Sequence, residues 1–234
     1  MERFFSTIFI IILSPIIIVI TFLIFVQDFE NPFFFAERVG KNSKIFRLIK
    51  FRSMIIDARK VNIFSTSSND KRITFIGKII RKYKIDEIPQ LLNILYGDIT
   101  FVGPRPNVIS DVNKYNQVEK KLLEVKPGIT DIASIVFADE GQILLNSKNP
   151  DEDYNKYIRP WKSRLGLFYI KNRNITLDLI IIILTLFSIF NRKKALIYLS
   201  KTCSNYTKNY DLINFILRDK ELTVINPPED LKFL

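Results

Sequence analysis

The sequence predicts an α+β protein that is mostly helical, with an amino-terminal membrane segment ahead of a compact cytoplasmic body. Three features lead to this prediction. Residues 4–26 carry no charge, several later segments place apolar residues at helical spacing, and short strand-like runs alternate with loops rich in proline and glycine. With 234 residues, of which 47% are hydrophobic, the chain has the size of one domain or two small ones and is too apolar to be disordered.

The apolar run at residues 4–26 is about as long as a helix needs to cross the hydrocarbon core. It is long for a signal peptide, and no small-residue cleavage site follows it. Its carboxyl-terminal flank is basic, which by the positive-inside rule predicts a cytoplasmic body. Ser14-Pro15 in its centre predicts a kink. Two arrangements stay open: a kinked single-pass helix, which the residues alone favour, and a re-entrant hairpin that returns to the cytoplasmic face.

The first half of the body contains two predicted helices. The aromatic run 33–35 is typical of a membrane interface, and residues 44–54 form either a strand or a short helix. Residues 73–83 predict a helix with a solvated basic face. A second helix is expected from about Asp86 to Leu95, because Asp86 and Glu87 suit a first turn and Pro89 is tolerated there.

The second half reads as loops around a short strand and one apolar helix. Residues 99–102 are strand-like, whereas residues 103–106 and 126–130 are loop signals because of their prolines and glycines. Residues 177–190 predict an interfacial or core helix. The basic patch at 191–194 behind it suits anionic lipid headgroups, and the sequence beyond residue 205 indicates no clear structure.

The composition restricts the chemistry that this chain can use. It has 35 Lys+Arg against 24 Asp+Glu, a net charge of +11, no histidine and one cysteine, Cys203. The charge predicts an anionic partner. The missing histidines exclude Ser-His-Asp and Cys-His mechanisms, and the single cysteine excludes an internal disulfide. Catalysis would have to depend on carboxylates, Lys or Arg, and a hard metal ion.

The adjacent carboxylates Asp86 and Glu87 are the leading candidates. Such a pair at a helix start commonly does no more than complement the helix dipole. Phosphate oxygens also bind at helix amino termini, and nearby cations are expected to hold a carboxylate ionised. An ionised aspartate beside such cations and a divalent metal can act as a phosphoryl nucleophile. The nearby cations are Arg72, Arg81, Lys82, Lys84 and Arg105.

Five motifs occur together in the order and spacing of a known family. The chain resembles the bacterial sugar transferases, the small monotopic polyprenol-phosphate phosphoglycosyl transferases, from about Ser14 to Phe190. Each motif is weak alone, and the series behind an amino-terminal anchor is specific. The motifs are 50–54 (KFRSM), 72–77 (RITFIG), 85–91 (IDEIPQL), 97–106 (GDITFVGPRP) and 126–130 (KPGIT).

This resemblance implies transfer of a sugar 1-phosphate from a UDP-sugar to undecaprenyl phosphate at the cytoplasmic face of the bacterial inner membrane, with release of UMP. Asp86 matches the family nucleophile, which forms a covalent phosphosugar intermediate. Glu87 matches its partner, which is associated with Mg²⁺ and the second half-reaction, so both acids are expected metal ligands. The expected substrate-binding cations are Lys50, Arg52, Arg72, Arg81 and Arg105, although each could equally be a surface or structural ion-pair residue.

The resemblance also implies that the anchor is a re-entrant helix-break-helix and that residues 177–190 belong to amphipathic interfacial helices. The expected division is a membrane segment 1–27, a transferase domain 28–190 and a basic extension 191–234. Many family members have glycine where this chain has Asp131, which leaves the sugar uncertain. Membrane lipids are expected partners and nucleic acid is not; the oligomeric state, a homodimer included, stays open. The alternative function is a membrane-anchored binding module or a non-catalytic scaffold of the same fold.

Overall fold

The first helix, α1 (Glu2–Asp28), continues through Pro15 without a turn. The computed structural model describes residues 1–61, 65–220 and 222–232, without the side chains of 59–61. Pro15 has no N–H to donate to the Ile11 carbonyl, and the Ser14 hydroxyl donates to that carbonyl instead at 2.8 Å. A neighbouring serine therefore satisfies the group that the proline leaves free. The predicted re-entrant hairpin is not confirmed.

One face of α1 packs against the body along the whole helix. The Ser6 hydroxyl donates to the Leu91 carbonyl at 2.7 Å near one end, and Asp28 pairs with Arg52 at the other. The residues between them that pack on the body recur every three or four positions, as one helix face requires. These residues are Ile10, Leu13, Ile17, Ile20 and Ile24. The opposite face exposes large apolar side chains, and α1 is long and apolar enough to cross a membrane.

Two small sheets follow. Strand β1 (Phe33–Val39) pairs antiparallel with β2 (Ile45–Phe51), so residues 44–54 contain a strand rather than a helix. Strand β3 (Thr100–Val102) confirms the strand-like run and pairs in parallel with β4 (Gly128–Thr130). The prediction of a loop over 126–130 is therefore wrong for its last three residues.

The adjacent acids Asp86 and Glu87 are called the dyad below. The helices around the dyad differ in one respect from the prediction. The expected helix over 73–83 is present as α2 (Phe75–Lys82), capped by the Thr74 hydroxyl. The expected single helix over 86–95 is instead a 3₁₀ turn at Ile85–Glu87, followed by α3 (Gln90–Tyr96). Pro89 explains the difference, because it cannot donate the hydrogen bond that would join the two segments and its ring crowds the preceding turn.

The remaining regular elements of the described chain are helices, which confirms a mostly helical α+β fold. Four short helices come first, and the longer helix α8 follows them. The expected apolar helix over 177–190 is present and begins two residues before its predicted start. Two further helices follow in the tail, which the sequence does not predict. These elements are α4 (Ile109–Val112), α5 (Ile132–Val136), α6 (Glu140–Ile143), α7 (Pro150–Asp153), α8 (Arg159–Asn172), α9 (Ile175–Phe190), α10 (Arg192–Cys203) and α11 (Tyr210–Leu217).

The main hydrophobic core joins α5, α8 and α9 to the two tail helices. Leu199 and Ile216 from the tail are fully buried in this core beside Leu165 and Ile181. Two smaller clusters lie under α1, between that helix and the segments that carry the dyad. The tail thus packs as part of the body's core, and the boundaries predicted at residues 27/28 and 190/191 stay predictions.

Candidate active site

The adjacent acids Asp86 and Glu87 lie in the 3₁₀ turn between α2 and α3. Lys84 precedes this turn in the left-handed region, at φ 55°. That conformation is uncommon for a residue with a Cβ, and here it lets the chain turn directly from α2 into the 3₁₀ segment. The acids stand one turn before α3 rather than in its first turn.

Glu87 is held by two cations that come from distant parts of the sequence. Its Oε1 atom accepts hydrogen bonds from Lys50 Nζ at 2.7 Å and Arg105 Nη2 at 2.8 Å. Burial tends to raise the pKa of Glu87, but the charges of Arg105, Lys50 and Lys84 outweigh it and hold that pKa well below its ordinary value. Glu87 is therefore a carboxylate at neutral pH.

Asp86 is in a different situation from its neighbour. Within the described part of the chain, no hydrogen bond or ion pair engages its carboxylate. Burial raises the pKa of Asp86, and the charge of Glu87 adds to this, while Lys50, Arg81 and Arg105 oppose it. The expectation that nearby cations dominate the carboxylate pKa is therefore met at Glu87 and not at Asp86. The Asp86 oxygens remain available to a ligand.

The Arg105 loop is fixed by a close approach of two backbones. A Cβ on Gly128 would lie 2.1 Å from the Gly103 nitrogen, so a side chain cannot fit where the two segments meet. This contact joins the start of the 103–106 loop to β4. Arg105 then extends to Glu87, and the Glu87 charge raises the pKa of the guanidinium. Arg105 is therefore a permanent cation beside the acids.

Two of the five predicted binding cations lie elsewhere. Arg52 donates from both terminal guanidinium nitrogens to Asp28, and from Nε to the Asn31 carbonyl, so that it ties the end of α1 to β2. Arg72 donates from Nε and Nη2 to the two carboxylate oxygens of Asp70. Neither lines the cavity around the dyad, whereas Lys50, Arg81 and Arg105 do.

The cavity over Asp86 and Glu87 has a volume of about 840 Å³ and polar walls. It is within the size range of small-molecule sites. Its walls include residues that sequence reasoning did not assign to the site. Gln90 is 2% exposed and its Nε2 atom has no partner among the described residues. The others are the buried cation Lys84, the ion pair Glu140–Lys162, and Arg192, which pairs with Asp139.

Gln90 belongs to the 85–91 motif, but its residue type indicates no role by itself. Lys84 directly precedes that motif and is one of the cations expected near the two acids, although not as a substrate-binding residue. Glu140, Lys162 and Arg192 reach the cavity through the packing of α6, α8 and α10, and their sequence neighbourhoods give no indication of this.

The donor set suits Mg²⁺ bound together with a substrate. No group of three or more His, Cys, Asp or Glu side chains that could hold a metal occurs among the described residues. Mg²⁺ is usually held by one or two carboxylates, substrate phosphates and water rather than by an all-protein cage. Asp86 has free oxygens, and Glu87 retains one oxygen beyond its two ion pairs. These two carboxylates therefore fit the ion.

The chain is similar in sequence to known bacterial sugar transferases. The family described as "Bacterial sugar transferase" matches residues 1–192. The chain is 36% identical over 171 residues, 68% of its length, to the "Galactosyl transferase CpsE" of Streptococcus agalactiae, of which this covers 35%. It is 32% identical over 194 residues, 81% of its length, to the "UDP-glucose:undecaprenyl-phosphate glucose-1-phosphate transferase" of Klebsiella pneumoniae, of which this covers 39%.

A shorter relative matches over most of its length. The "Uncharacterized sugar transferase EpsL" of Bacillus subtilis is 36% identical over 183 residues, which cover 77% of this chain and 81% of that protein. The chain spans less than two fifths of the length of the first two relatives. The family match extends over α1, the dyad, the Arg105 loop and α9, and it ends where the tail helices begin. The chain therefore belongs to the bacterial sugar transferase family.

Proposed function

We propose that this chain transfers a sugar 1-phosphate from a UDP-sugar to undecaprenyl phosphate and releases UMP, as the first membrane step of surface polysaccharide or glycoconjugate synthesis. Relatives with similar sequences are named for such transfers, with glucose, galactose or N-acetylgalactosamine as the sugar. The observation that carries the proposal is the difference between two adjacent acids: Glu87 is held by Lys50 and Arg105, whereas Asp86 is left free in the same cavity.

In the first step an Asp86 oxygen attacks the sugar-bearing phosphorus of the donor. The bond from that phosphorus to the bridging oxygen breaks, UMP leaves with the electron pair, and the sugar phosphate is joined to Asp86. Lys50, Arg81 and Arg105 line this cavity and offset the negative charge of the diphosphate. Without them, the donor and the carboxylate would repel each other.

In the second step a phosphate oxygen of undecaprenyl phosphate attacks the same phosphorus. The bond to Asp86 breaks, the carboxylate is restored, and the product is a lipid diphosphate sugar. Glu87 keeps Lys50 and Arg105 in place throughout, because its pKa keeps it charged. When bound by Asp86 and Glu87, Mg²⁺ would neutralise phosphate charge.

Two surfaces support a membrane location with the body on one side of the bilayer, and the basic residues that follow α1 support the cytoplasmic side. The contact face of α1 lies on the body from Ser6 to Asp28, so a transverse α1 would take α3 and β2 into the hydrocarbon with it. A helix that stays on one side of the bilayer together with the body avoids that cost. The outward side of α9 exposes Ile175, Leu179 and Phe190, which suits an interfacial helix.

The test is an assay of the purified chain in detergent with undecaprenyl phosphate, Mg²⁺ and a panel of UDP-sugars. Release of UMP, with label from one sugar entering the organic phase, is the expected result. Omitting the acceptor should leave an adduct with the mass of one sugar phosphate on the intact protein. If no UDP-sugar yields UMP or an adduct while the chain binds UMP, the non-catalytic binding module is the better description.

A further inference from the structure

The carboxylate of Asp131 connects a helix cap to the Arg105 loop. Asp131 follows β4 and is 2% exposed. Its Oδ1 atom accepts hydrogen bonds from the Ser134 backbone N–H and hydroxyl, both at 2.6 Å, which caps α5. Its Oδ2 atom accepts from the Arg105 backbone N–H at 3.3 Å. A helix cap needs only one side-chain oxygen, so the second oxygen is available for the loop.

The same turn also holds a third cation near Glu87, Lys84. The Ser134 carbonyl accepts a hydrogen bond from Lys84 Nζ at 3.3 Å. Arg105 and Lys84 come from different segments of the chain, and both act on Glu87. Asp131 and Ser134 thus fix the positions of these two cations relative to the start of α5.

Asp131 has no ion pair of its own among the described residues, although it is buried. A buried carboxylate without a cationic partner is costly unless hydrogen bonds satisfy it. Its partners are one hydroxyl and two backbone N–H groups, and one of those belongs to Arg105.

We propose that Asp131 is a positioning residue, whose second carboxylate oxygen holds the Arg105 backbone so that the guanidinium reaches Glu87 and the donor diphosphate. The inference rests on the proposed function for its kinetic part. Asp131 touches no substrate in this scheme, and its direct hydrogen bond to a residue of the site is the one from the Arg105 backbone. Losing it should therefore weaken donor binding more than it slows the chemistry.

The discriminating variant is Asp131→Asn. Asparagine caps helices as well as aspartate does, but one of its two terminal atoms is a donor and cannot accept from the Arg105 N–H. The expected result is a Tm close to that of the original chain, with the KM for the UDP-sugar raised on the order of tenfold and kcat changed less. Asn149→Ala is the matched control, because it removes the cap of α7 away from the dyad and should leave KM unchanged.

A double-mutant cycle with Arg105→Ala tests whether Asp131 acts through Arg105. In that background, Asp131→Asn should cause no further loss of kcat/KM. An unchanged KM in Asp131→Asn, or an equal loss with and without Arg105, would overturn the proposal.

Hydrogen exchange at the Arg105 amide gives a readout that does not depend on turnover. Exchange should be faster in Asp131→Asn than in the original chain and unaffected in Asn149→Ala. If the original chain releases no UMP, the proposed function fails while the amide measurement still decides whether Asp131 holds the loop. Unchanged protection of the Arg105 amide in Asp131→Asn would show that the Asp131 carboxylate does not hold the Arg105 backbone.

Discussion

Lys50 and Glu87 are 37 residues apart in the sequence, and Lys50 Nζ lies 2.7 Å from Glu87 Oε1. Strand β2 carries the lysine and the 3₁₀ turn carries the glutamate, so the ion pair forms only when these two elements pack together. Arg105 shares the same oxygen. The charge state of Glu87 therefore depends on three separate segments of the chain.

We expect Lys50→Met to reduce kcat/KM by roughly 10²–10³-fold, the usual loss when one preorganised donor is removed from a site of developing charge. Methionine approximates the length of lysine but cannot offset phosphate charge. Steady-state UMP release measures the effect. Lys44→Met, at an exposed position just before β2, is the control and should behave as the original chain. Equal kinetics for the two variants would remove Lys50 from the site.

Asp86→Asn should abolish UMP release and the sugar-phosphate adduct while the protein stays folded. The amide has the same shape as the carboxylate but is not a nucleophile toward phosphorus. Intact mass measurement and a UMP assay check the two effects, and Tm checks the fold. The control is Asp211→Asn, an identical change at an exposed residue of α11. Full activity of Asp86→Asn would sink the nucleophile assignment.

Chelation with EDTA should stop turnover, and added Mg²⁺ should restore it. The reason is electrostatic, because a nucleotide diphosphate and a lipid phosphate must approach two acids of which Glu87 is charged. Titration of Mg²⁺ into the chelated enzyme measures the requirement. Turnover that continues at full rate in EDTA would contradict this reasoning.

Labelling of an engineered cysteine distinguishes the two arrangements of α1. Glu2→Cys should be protected from an impermeant thiol reagent added outside intact cells, and should react after lysis. The native Cys203 gives no background, because it is fully buried and burial raises its thiol pKa to about 12. The unsubstituted chain is the control. Labelling of Glu2→Cys in intact cells would indicate a spanning helix.

The ion pair of Glu140 with Lys162 should make stability depend on pH. Burial tends to raise the pKa of Glu140, but the charge and hydrogen bond of Lys162 outweigh it, so the pKa lies below the usual 4.5. This stabilisation is complete above pH 4.5 and is lost as the pH falls through the lower, folded-state pKa. Glu140→Gln should cost roughly 1–3 kcal/mol of unfolding free energy at pH 7.

The difference in unfolding free energy between Glu140→Gln and the original chain should disappear in acid, because the Glu140 carboxylate is then protonated and uncharged. Thermal unfolding between pH 3 and pH 7 follows the two proteins. Glu152→Gln breaks an exposed pair with Lys156 and should change little at any pH. If Glu140→Gln is less stable than the original chain by the same amount at every pH in this range, the substitution weakens packing rather than an ion pair.

Long apolar runs, and segments whose apolar residues follow a clear period, are predictable from the sequence alone. Helices α1 and α9 are such runs and α2 has such a period, and all three are present. The residues of β4 read as a loop because Pro127 precedes them and Gly128 begins them, and it is their pairing with β3, next to the close contact of Gly128 with Gly103, that makes them a strand. That contact joins residues 25 positions apart, and no local pattern reveals it. The tail helices depend in the same way on the core that they complete.

The residues of the candidate site are also predictable from the sequence only in part. The motifs identify Asp86 and Glu87, and the structure brings Lys50, Arg81 and Arg105 to them. Arg52 and Arg72 are also cations in the same kind of motif, but the acid that pairs with each of them lies outside the cavity. Charge pattern alone cannot tell a cation that lines the cavity from one that pairs with an acid elsewhere in the fold.

The packing of α1 has a practical consequence for anyone who wishes to prepare this protein. Ile24 is buried with Phe51 and Ile80, and Ile10 and Leu13 cover the cluster around Leu91 and Ile94. Cutting away the first 28 residues would bare both clusters directly behind the dyad and leave Arg52 without Asp28. A water-soluble fragment cannot be obtained by trimming the anchor; purification has to carry the membrane helix along, in detergent or a lipid disc.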